Sequence, residues 1–349
     1  MFKSIRVRNF RAITDLKIDH VGRVNLFVGH NASGKTTLLE SIFFLIGATN
    51  PKLPVNANTF RGLPWVSKAL WRTYFHNMNA DVPIEIFADE FEGGGQQRLL
   101  IRPREERFTP PNGDASSMPS TSWARMASED GPQINGLRLE YSGPPDPGTP
   151  AVSQIYMKGE EIMVEGMKER PIRGTFVIPL PLDLANRFSE IQRRKQVAEV
   201  VALLKEIEPA IEDLRLAGTQ IWADIGAPEM MPVNLMGGGA TKFLNVALSM
   251  LDFQNGFVLI DEIENGLHHS AQRKLWDAIF NWAQKLNVQV FASTHSMECI
   301  TAFTDCATSG LFGADAMLFR IERKGDDFRA VEYTRELLAE SLESEWEVR

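Results

Sequence analysis

Residues 23–47, RVNLFVGHNASGKTTLLESIFFLIG, decide the fold of this chain. A short apolar run leads into the pattern Gly29-x4-Gly34-Lys35-Thr36, and an apolar stretch of helical character follows. A glycine-rich turn between a buried strand and the start of a helix presents backbone N–H groups to phosphate oxygens. The stretch therefore predicts a nucleotide-phosphate loop, which we favour over a plain glycine turn.

The polar side chains of this loop have separate expected roles. Lys35 places a positive charge near the β and γ phosphates, and the Thr36 hydroxyl can coordinate Mg²⁺. Asn31 and Thr37, within the loop and directly after it, are further candidate nucleotide contacts. The cofactors expected from this stretch are ATP and Mg²⁺.

Two later apolar runs end in polar residues. FVLIDE, residues 257–262, brings Asp261 to the end of a buried strand, where its carboxylate can hold Mg²⁺ through water. Glu262 follows directly and is the candidate base for the attacking water. VFASTHS, residues 290–296, ends near His295, which we expect to contact the γ-phosphate or the water. A purely structural histidine is the alternative.

A glycine triplet, Gly237 to Gly239, stands in NLMGGGATKFLNVALSML, residues 234–251. The residues after it are mostly apolar and predict a buried helix. The triplet can be a loop that only starts this helix. It can also be half of a phosphate site whose other half lies on another subunit, because a helix N-terminus suits an anion.

Taken in order, the phosphate loop, the glycine triplet, LIDEIENGLHH and STHS resemble the motifs of ABC-type ATPases of the SMC, RecF and overcoming-lysogenization-defect (OLD) group. The chain looks most like the compact ATP-binding proteins of that group, which are often found in phage-defence operons. The resemblance covers residues 1–50 and about 170–349, and says little about 51–169.

The resemblance implies a homodimer or a higher even oligomer with composite ATP sites. In such a dimer the glycines Gly237, Gly238 and Gly239 cap the γ-phosphate held by the opposite subunit. Asn265 and His268 of ENGLHH would lie in the segment that crosses the dimer interface. Arg11 of NFRA would lie near the nucleotide.

The chain departs from the group in ways that bear on function. The signature serine is absent, and Met236 or Gly237 stands in its place, which suits slow hydrolysis or a scaffold that restrains a toxic partner. The stretch after His295 is too short for the nuclease domain of larger relatives, so the resemblance implies a separate effector such as a nuclease. A RecF-like DNA-repair ATPase is a further alternative, although the net charge of −8 disfavours general nucleic-acid binding.

Strands that alternate with helices in the last third predict an α/β fold, an ABC-type P-loop NTPase core with a mainly parallel sheet. The core would comprise 1–50 and 170–349, with a short helical cap at 181–216 and an acidic tail. Residues 51–169 predict an antiparallel β lobe, with mobile loops at 109–122 and 142–150. Without a long apolar run or a signal-peptide pattern, a cytoplasmic location is expected.

Overall fold

The computed structural model describes residues 1–63, 68–90, 95–106, 133–144, 146–167, 173–177, 184–309, 315–334, 336–338 and 340. These residues form three β-sheets and a set of α-helices. The strands are β1 (Phe2–Phe10), β2 (Ile13–Ile18), β3 (Val24–Val28), β4 (Ile84–Glu90), β5 (Gln96–Glu106), β6 (Gln133–Gly143), β7 (Asp146–Lys158), β8 (Glu161–Glu165), β9 (Gly174–Val177), β10 (Asp213–Ala217), β11 (Gln220–Asp224), β12 (Met231–Pro232), β13 (Phe257–Ile260), β14 (Gln289–Ser293), β15 (Ala316–Lys324) and β16 (Asp327–Tyr333). The helices are α1 (Lys35–Ile46), α2 (Leu53–Phe60), α3 (Leu184–Arg193), α4 (Val197–Lys205), α5 (Gly238–Asp252), α6 (His269–Lys285) and α7 (Met297–Thr308).

A six-stranded sheet has the order β16-β15-β3-β14-β13-β9. Its strands are parallel except β16, which pairs antiparallel with β15. The central strands β3, β13 and β14 are buried along their whole length, as their apolar sequences require. Because parallel strands end at one edge of a sheet, the residues that follow these three strands meet there. The predicted mainly parallel α/β core is confirmed.

A seven-stranded antiparallel sheet has the order β2-β1-β4-β5-β6-β7-β8. Pairing of β1 with β4 joins the first strands of the chain to the sheet of 51–169, and the division at residue 50 stays a prediction. The loop expected at 142–150 is wrong, since β7 already begins at Asp146 and pairs with β6. The loop expected at 109–122 lies outside the described residues.

The helical cap expected at 181–216 is only partly helical. The helices α3 and α4 lie within it, but Asp213–Ala217 forms β10 and pairs antiparallel with β11. Pro209 cannot continue a helix, because it lacks the backbone N–H and its ring clashes with the preceding turn. After it, Leu214 packs into the core and pairs in register with Ala223.

The first part of the segment after α7, where the sequence predicted an acidic tail, forms two strands, whereas residues 341–349 lie outside the described residues. Ala316–Lys324 adds a parallel strand beside β3, and Asp327–Tyr333 turns back beside it. The alternation of apolar and charged residues in FRIE, residues 319–322, was the signal for this strand. Before it, α7 buries Cys299 and Cys306, as expected, and burial raises the pKa of the Cys299 thiol to about 12. None of the described helices is both long and apolar enough to span a membrane.

Candidate nucleotide-binding site

The predicted phosphate loop connects the end of β3 to the start of α1. Two of its glycines have backbone conformations that L side chains rarely adopt, with φ of +141° at Gly29 and +100° at Gly34. A Cβ on Gly29 would lie 2.6 Å from the backbone oxygen of Ile321, so the C-terminal hairpin leaves no room for a side chain. The loop is therefore closed on one side by β15.

Lys35 and Thr36 make the contacts that define the interior of the loop. Lys35 Nζ donates to the backbone oxygens of Gly29 at 2.8 Å and His30 at 3.0 Å, so its charge lies over the loop. Thr36 Oγ1 donates to Asp261 Oδ2 at 2.8 Å. The hydroxyl and the carboxylate that the sequence assigned to Mg²⁺ thus meet. Both are oxygen donors of the kind that Mg²⁺ prefers, so the residues present fit this ion.

Ser293, the last residue of β14, connects this pair to the candidate base. Its Oγ donates to Asp261 Oδ1 and accepts a hydrogen bond from the backbone N–H of Glu262 at 3.0 Å. No sequence pattern singled out Ser293, although it stands in STHS two residues before His295. Its position at the end of the strand next to β13 was the available signal, because neighbouring parallel strands end together.

Glu262 is exposed and has a φ of +46°, a strained conformation for a residue with a side chain. Its backbone oxygen accepts hydrogen bonds from Asn265 N at 3.0 Å and from Lys242 Nζ at 3.1 Å. Asn265 Nδ2 also donates to the Glu262 carboxylate. Asn265, expected at a subunit interface, here holds the candidate base of its own chain.

The buried side chain of Lys242 lies behind this turn, and no sequence pattern singled it out. Lys242 of α5 is 8% exposed, and burial lowers its pKa to about 8, against the opposing effect of Glu264. Glu264 is 9% exposed, and its Oε1 lies 3.1 Å from both the backbone nitrogen and Nδ1 of His295. Glu264 Oε2 is buried without a hydrogen-bond partner among the described residues. His295 is therefore positioned by Glu264 near the site edge.

The glycine triplet forms the exposed start of α5. Gly237 is the N-cap with a φ of +103°, and no side chain caps the helix. A Cβ on Gly238 would come no closer than 3.4 Å to its surroundings, the backbone oxygen of Gly266, and one on Gly239 would lie 3.5 Å from Leu267. Free N–H groups at a helix N-terminus attract anions. The role of the triplet on an opposite subunit stays a prediction.

The remaining candidates take different positions. Arg11 Nε lies 3.0 Å from Glu40 Oε2, so its guanidinium is paired with a buried carboxylate of α1. Asn31 is exposed in the loop, whereas Thr37 is buried in the first turn of α1. His268 caps α6 by accepting a hydrogen bond from the backbone N–H of Ser270, at 3.4 Å. Nucleotide contact by the first three, and interface contact by His268, stay predictions.

Family models match two separate parts of the chain. A model described as "AAA ATPase domain" matches residues 1–86. Another, described as "AAA domain, putative AbiEii toxin, Type IV TA system", matches residues 169–300. The two matches contain the phosphate loop, the glycine triplet and the Asp261–Glu262 pair, which are the motifs that the geometry brings together.

Similar proteins point the same way. A Helicobacter pylori protein named "ATP/GTP phosphatase" is 23% identical over 93% of each chain. A Lactococcus lactis "DNA replication and repair protein RecF" is 51% identical over 43 residues, 12% of each chain. An SMC head solved with the C-winged helix domain of ScpA has the same fold, at a TM-score of 0.52 and 11% identity over 96% of this chain and 98% of that one.

Together, the two family models, the relatives and the fold support an SMC/RecF-like ABC-type ATPase. Its fold and the order of its motifs agree with this group from the phosphate loop to STHS. The two parts matched by the family models meet at the hydrogen bond between Thr36 and Asp261.

Proposed function

We propose that this protein is a switch that binds and hydrolyses ATP, acts as a dimer with composite ATP sites and controls a separate effector protein. The observation that carries the proposal is the connected set Thr36, Asp261, Ser293 and Glu262 at the carboxyl edge of the parallel sheet. It joins a phosphate loop, an oxygen pair suited to a metal and a candidate base within hydrogen-bond contact.

Each group of the set has a part in the proposed hydrolysis. Loop N–H groups and Lys35 bind the phosphates, and Glu262 accepts the proton of the attacking water. Thr36 and Asp261 would hold Mg²⁺, and the ion would supply positive charge that neutralises the phosphates. The base is held in place by two hydrogen bonds: the Glu262 backbone N–H donates to Ser293 Oγ, and Asn265 Nδ2 donates to the Glu262 carboxylate.

The dimer is proposed from the second glycine-rich helix start. The N-terminus of α5 is exposed, lacks a side-chain cap and leaves room around Gly238. Leu235, two residues before the triplet, is a large apolar side chain and 73% exposed. An anion would satisfy the helix N-terminus and an apolar partner surface would cover Leu235. A second copy of the chain with ATP in its phosphate loop would bring both, the γ-phosphate as the anion and its own surface as the partner.

The molar mass of the Glu262→Gln protein, measured by light scattering with Mg²⁺ and with or without ATP, tests the dimer. We expect ATP to double the mass, and Gly238→Glu to abolish that increase by placing a carboxylate where the phosphate binds. A matched control is Gln196→Glu, which adds a carboxylate at the start of α4 instead. A monomer at saturating ATP would disprove the composite site.

The effector and the setting of the switch are proposed from the resemblance, which indicates a separate protein such as a nuclease and a role in phage defence. Affinity capture with the ATP-locked Glu262→Gln protein, compared with Lys35→Ala, tests this. We expect one effector to be retained only by the Glu262→Gln protein. Equal recovery on both proteins would contradict a role for ATP in partner control.

A scaffold that restrains a toxic partner with little hydrolysis is the second candidate. Met236 or Gly237 stands where the group has its signature serine, so one side-chain contact to the γ-phosphate is missing. A turnover rate near that of the Glu262→Gln protein would favour the scaffold. Strong stimulation of turnover by DNA would instead favour a RecF-like role, which the short RecF similarity supports.

A further inference from the structure

The hairpin of β15 and β16 flanks the phosphate loop and has no part in the proposed hydrolysis. Arg320 pairs in register with Val28, the last residue of β3, so the hairpin continues past β3 and runs beside the loop. The tip of the hairpin is held by β2 and by the segment before β4. Thr14 Oγ1 donates to the backbone oxygen of Asp326, and His76 Nε2 lies 3.7 Å from the Asp326 carboxylate. The tip therefore has a fixed position next to the loop.

Arg323 and Phe328, near this tip, form a cation–π pair. Arg323 and Phe328 are opposite each other in register, and the Arg323 guanidinium carbon lies 5.3 Å from the ring centroid. Phe328 is half-buried against the loop, because a Cβ on Gly34 would lie 3.1 Å from its Cε1. Arg323 is exposed, and its Nε donates to the backbone oxygen of Gly325 at 2.9 Å. A guanidinium fixed on an aromatic ring is a surface on which a planar group can stack.

The order of the strands decides which end of a nucleotide faces this pair. β3 lies between β14 and β15, so the loop has one flank made by β14 and β13 and another made by β15 and β16. Asp261 and Glu262, which serve the γ-phosphate end, follow β13. The opposite end of the nucleotide, its base and ribose, must then lie on the flank of the hairpin.

We propose that Arg323 and Phe328 form the stacking surface for the base of the bound nucleotide, and that this surface accepts adenine and guanine alike. The inference rests on the proposed nucleotide binding and adds to it the substrate range, nucleoside triphosphates without selection between adenine and guanine. Stacking on a guanidinium or an aromatic ring tolerates different bases, because every base has a π-face.

Binding constants of three probes test this surface. Calorimetry on the full chain with Glu262→Gln would use ATP, GTP and inorganic tripolyphosphate, each with Mg²⁺. We expect ATP and GTP to bind within a few-fold of each other. Arg323→Ala should weaken both about tenfold and leave tripolyphosphate unchanged, since only the nucleosides lose a stacking partner. Arg323→Lys keeps the charge without the plane and should behave like Arg323→Ala.

The control is Arg329→Ala. Arg329 is an exposed arginine of β16 that lies opposite Glu322 in the strand register, and its removal leaves the Arg323–Phe328 contact intact. Because Arg323 is exposed, its replacement does not threaten the fold, and Phe328→Leu gives a second test. Equal weakening of tripolyphosphate would mean simple charge attraction and would overturn the proposal. So would unchanged ATP binding, or a large preference for one purine. If the parent protein binds neither ATP nor tripolyphosphate, the proposed function itself fails.

Discussion

Two helices of the chain begin after a glycine N-cap, and these two helix starts differ in how closely the chain itself surrounds them. The N-cap of α1 is Gly34 with a φ of +100°, and the N-cap of α5 is Gly237 with a φ of +103°; neither helix has a side-chain cap. A Cβ on Gly34 would press against Phe328, whereas one on Gly237 would meet nothing within 4 Å. The first start is enclosed by its own chain. The second is open, which is the property expected of half a site.

The largest expected effect concerns the enclosed site. Glu262→Gln removes the proposed base while keeping the hydrogen bond from Asn265, so the geometry should persist. We expect the rate of phosphate release at saturating ATP to fall about 100-fold to 10,000-fold, with the binding constant for ATP within a few-fold of the parent. A rate within threefold of the parent would remove Glu262 from the mechanism.

The open start should be sensitive to a charge and tolerant of a methyl group. With Gly238→Glu we expect ATP turnover to fall at least tenfold while ATP still binds the phosphate loop, since the new carboxylate repels the partner's phosphate. Gly238→Ala should keep most of the activity, because its Cβ meets only an oxygen at 3.4 Å. Kinetics at several protein concentrations would check both. Loss of ATP binding in the Gly238→Glu monomer would contradict a composite site.

Replacing glycine by alanine at each helix start should change the free energy of unfolding by different amounts. Gly34→Ala combines a left-handed backbone with a contact at 3.1 Å to Phe328, and we expect it to lower the free energy of unfolding by about 2 kcal/mol. Gly238→Ala lies inside a helix with space around it and should change stability by about 0–1 kcal/mol, towards greater stability. Urea unfolding of both variants is the measurement. Equal losses would mean that the start of α5 is as enclosed as the phosphate loop.

Burial of Lys242, near the start of α5, should make the free energy of unfolding depend on pH. Lys242 of α5 is buried with its pKa lowered to about 8 from 10.5, so its charged form is disfavoured in the folded protein. The folded state then binds fewer protons than the unfolded state between pH 8 and 10.5, and stability rises with pH there.

Lys242→Met should lack this rise, which is at most about 1.4 kcal/mol per pH unit. Urea unfolding of both proteins from pH 7 to pH 10 would measure the difference between them. Parallel profiles for Lys242→Met and the parent would contradict the lowered pKa.

Patterns along the chain located the elements whose function depends on local sequence. The phosphate loop, Asp261 at a strand end and the glycine start of α5 all follow from spacing between apolar runs. Ser293, Lys242 and Glu264 were missed because their roles depend on which elements pack together. Lys242 reaches the Glu262 carbonyl only because α5 lies against the turn after β13. No periodicity within 238–252 indicates that contact.

The helical cap shows a second kind of limit. Ile211 and Leu214 are three residues apart, a spacing that fits a helix, yet both are buried outside any helix. Pairing of β10 with β11 overrides the local pattern, because cross-strand contacts decide strand formation more than spacing does. The hairpin of β15 and β16 was missed for the same reason, since its strand pairs with residues near the start of the chain.

That pairing also orders events during synthesis. The wall of the phosphate loop that excludes a side chain at Gly29 is Ile321, near the other end of the chain. A nascent polypeptide that has left the ribosome up to residue 309 already carries every motif of the site. It still lacks β15, so β3 would be an unprotected edge strand, the type of surface on which chains pair wrongly. Contacts so distant in sequence form slowly, and the nucleotide site should be among the last parts of the protein to mature.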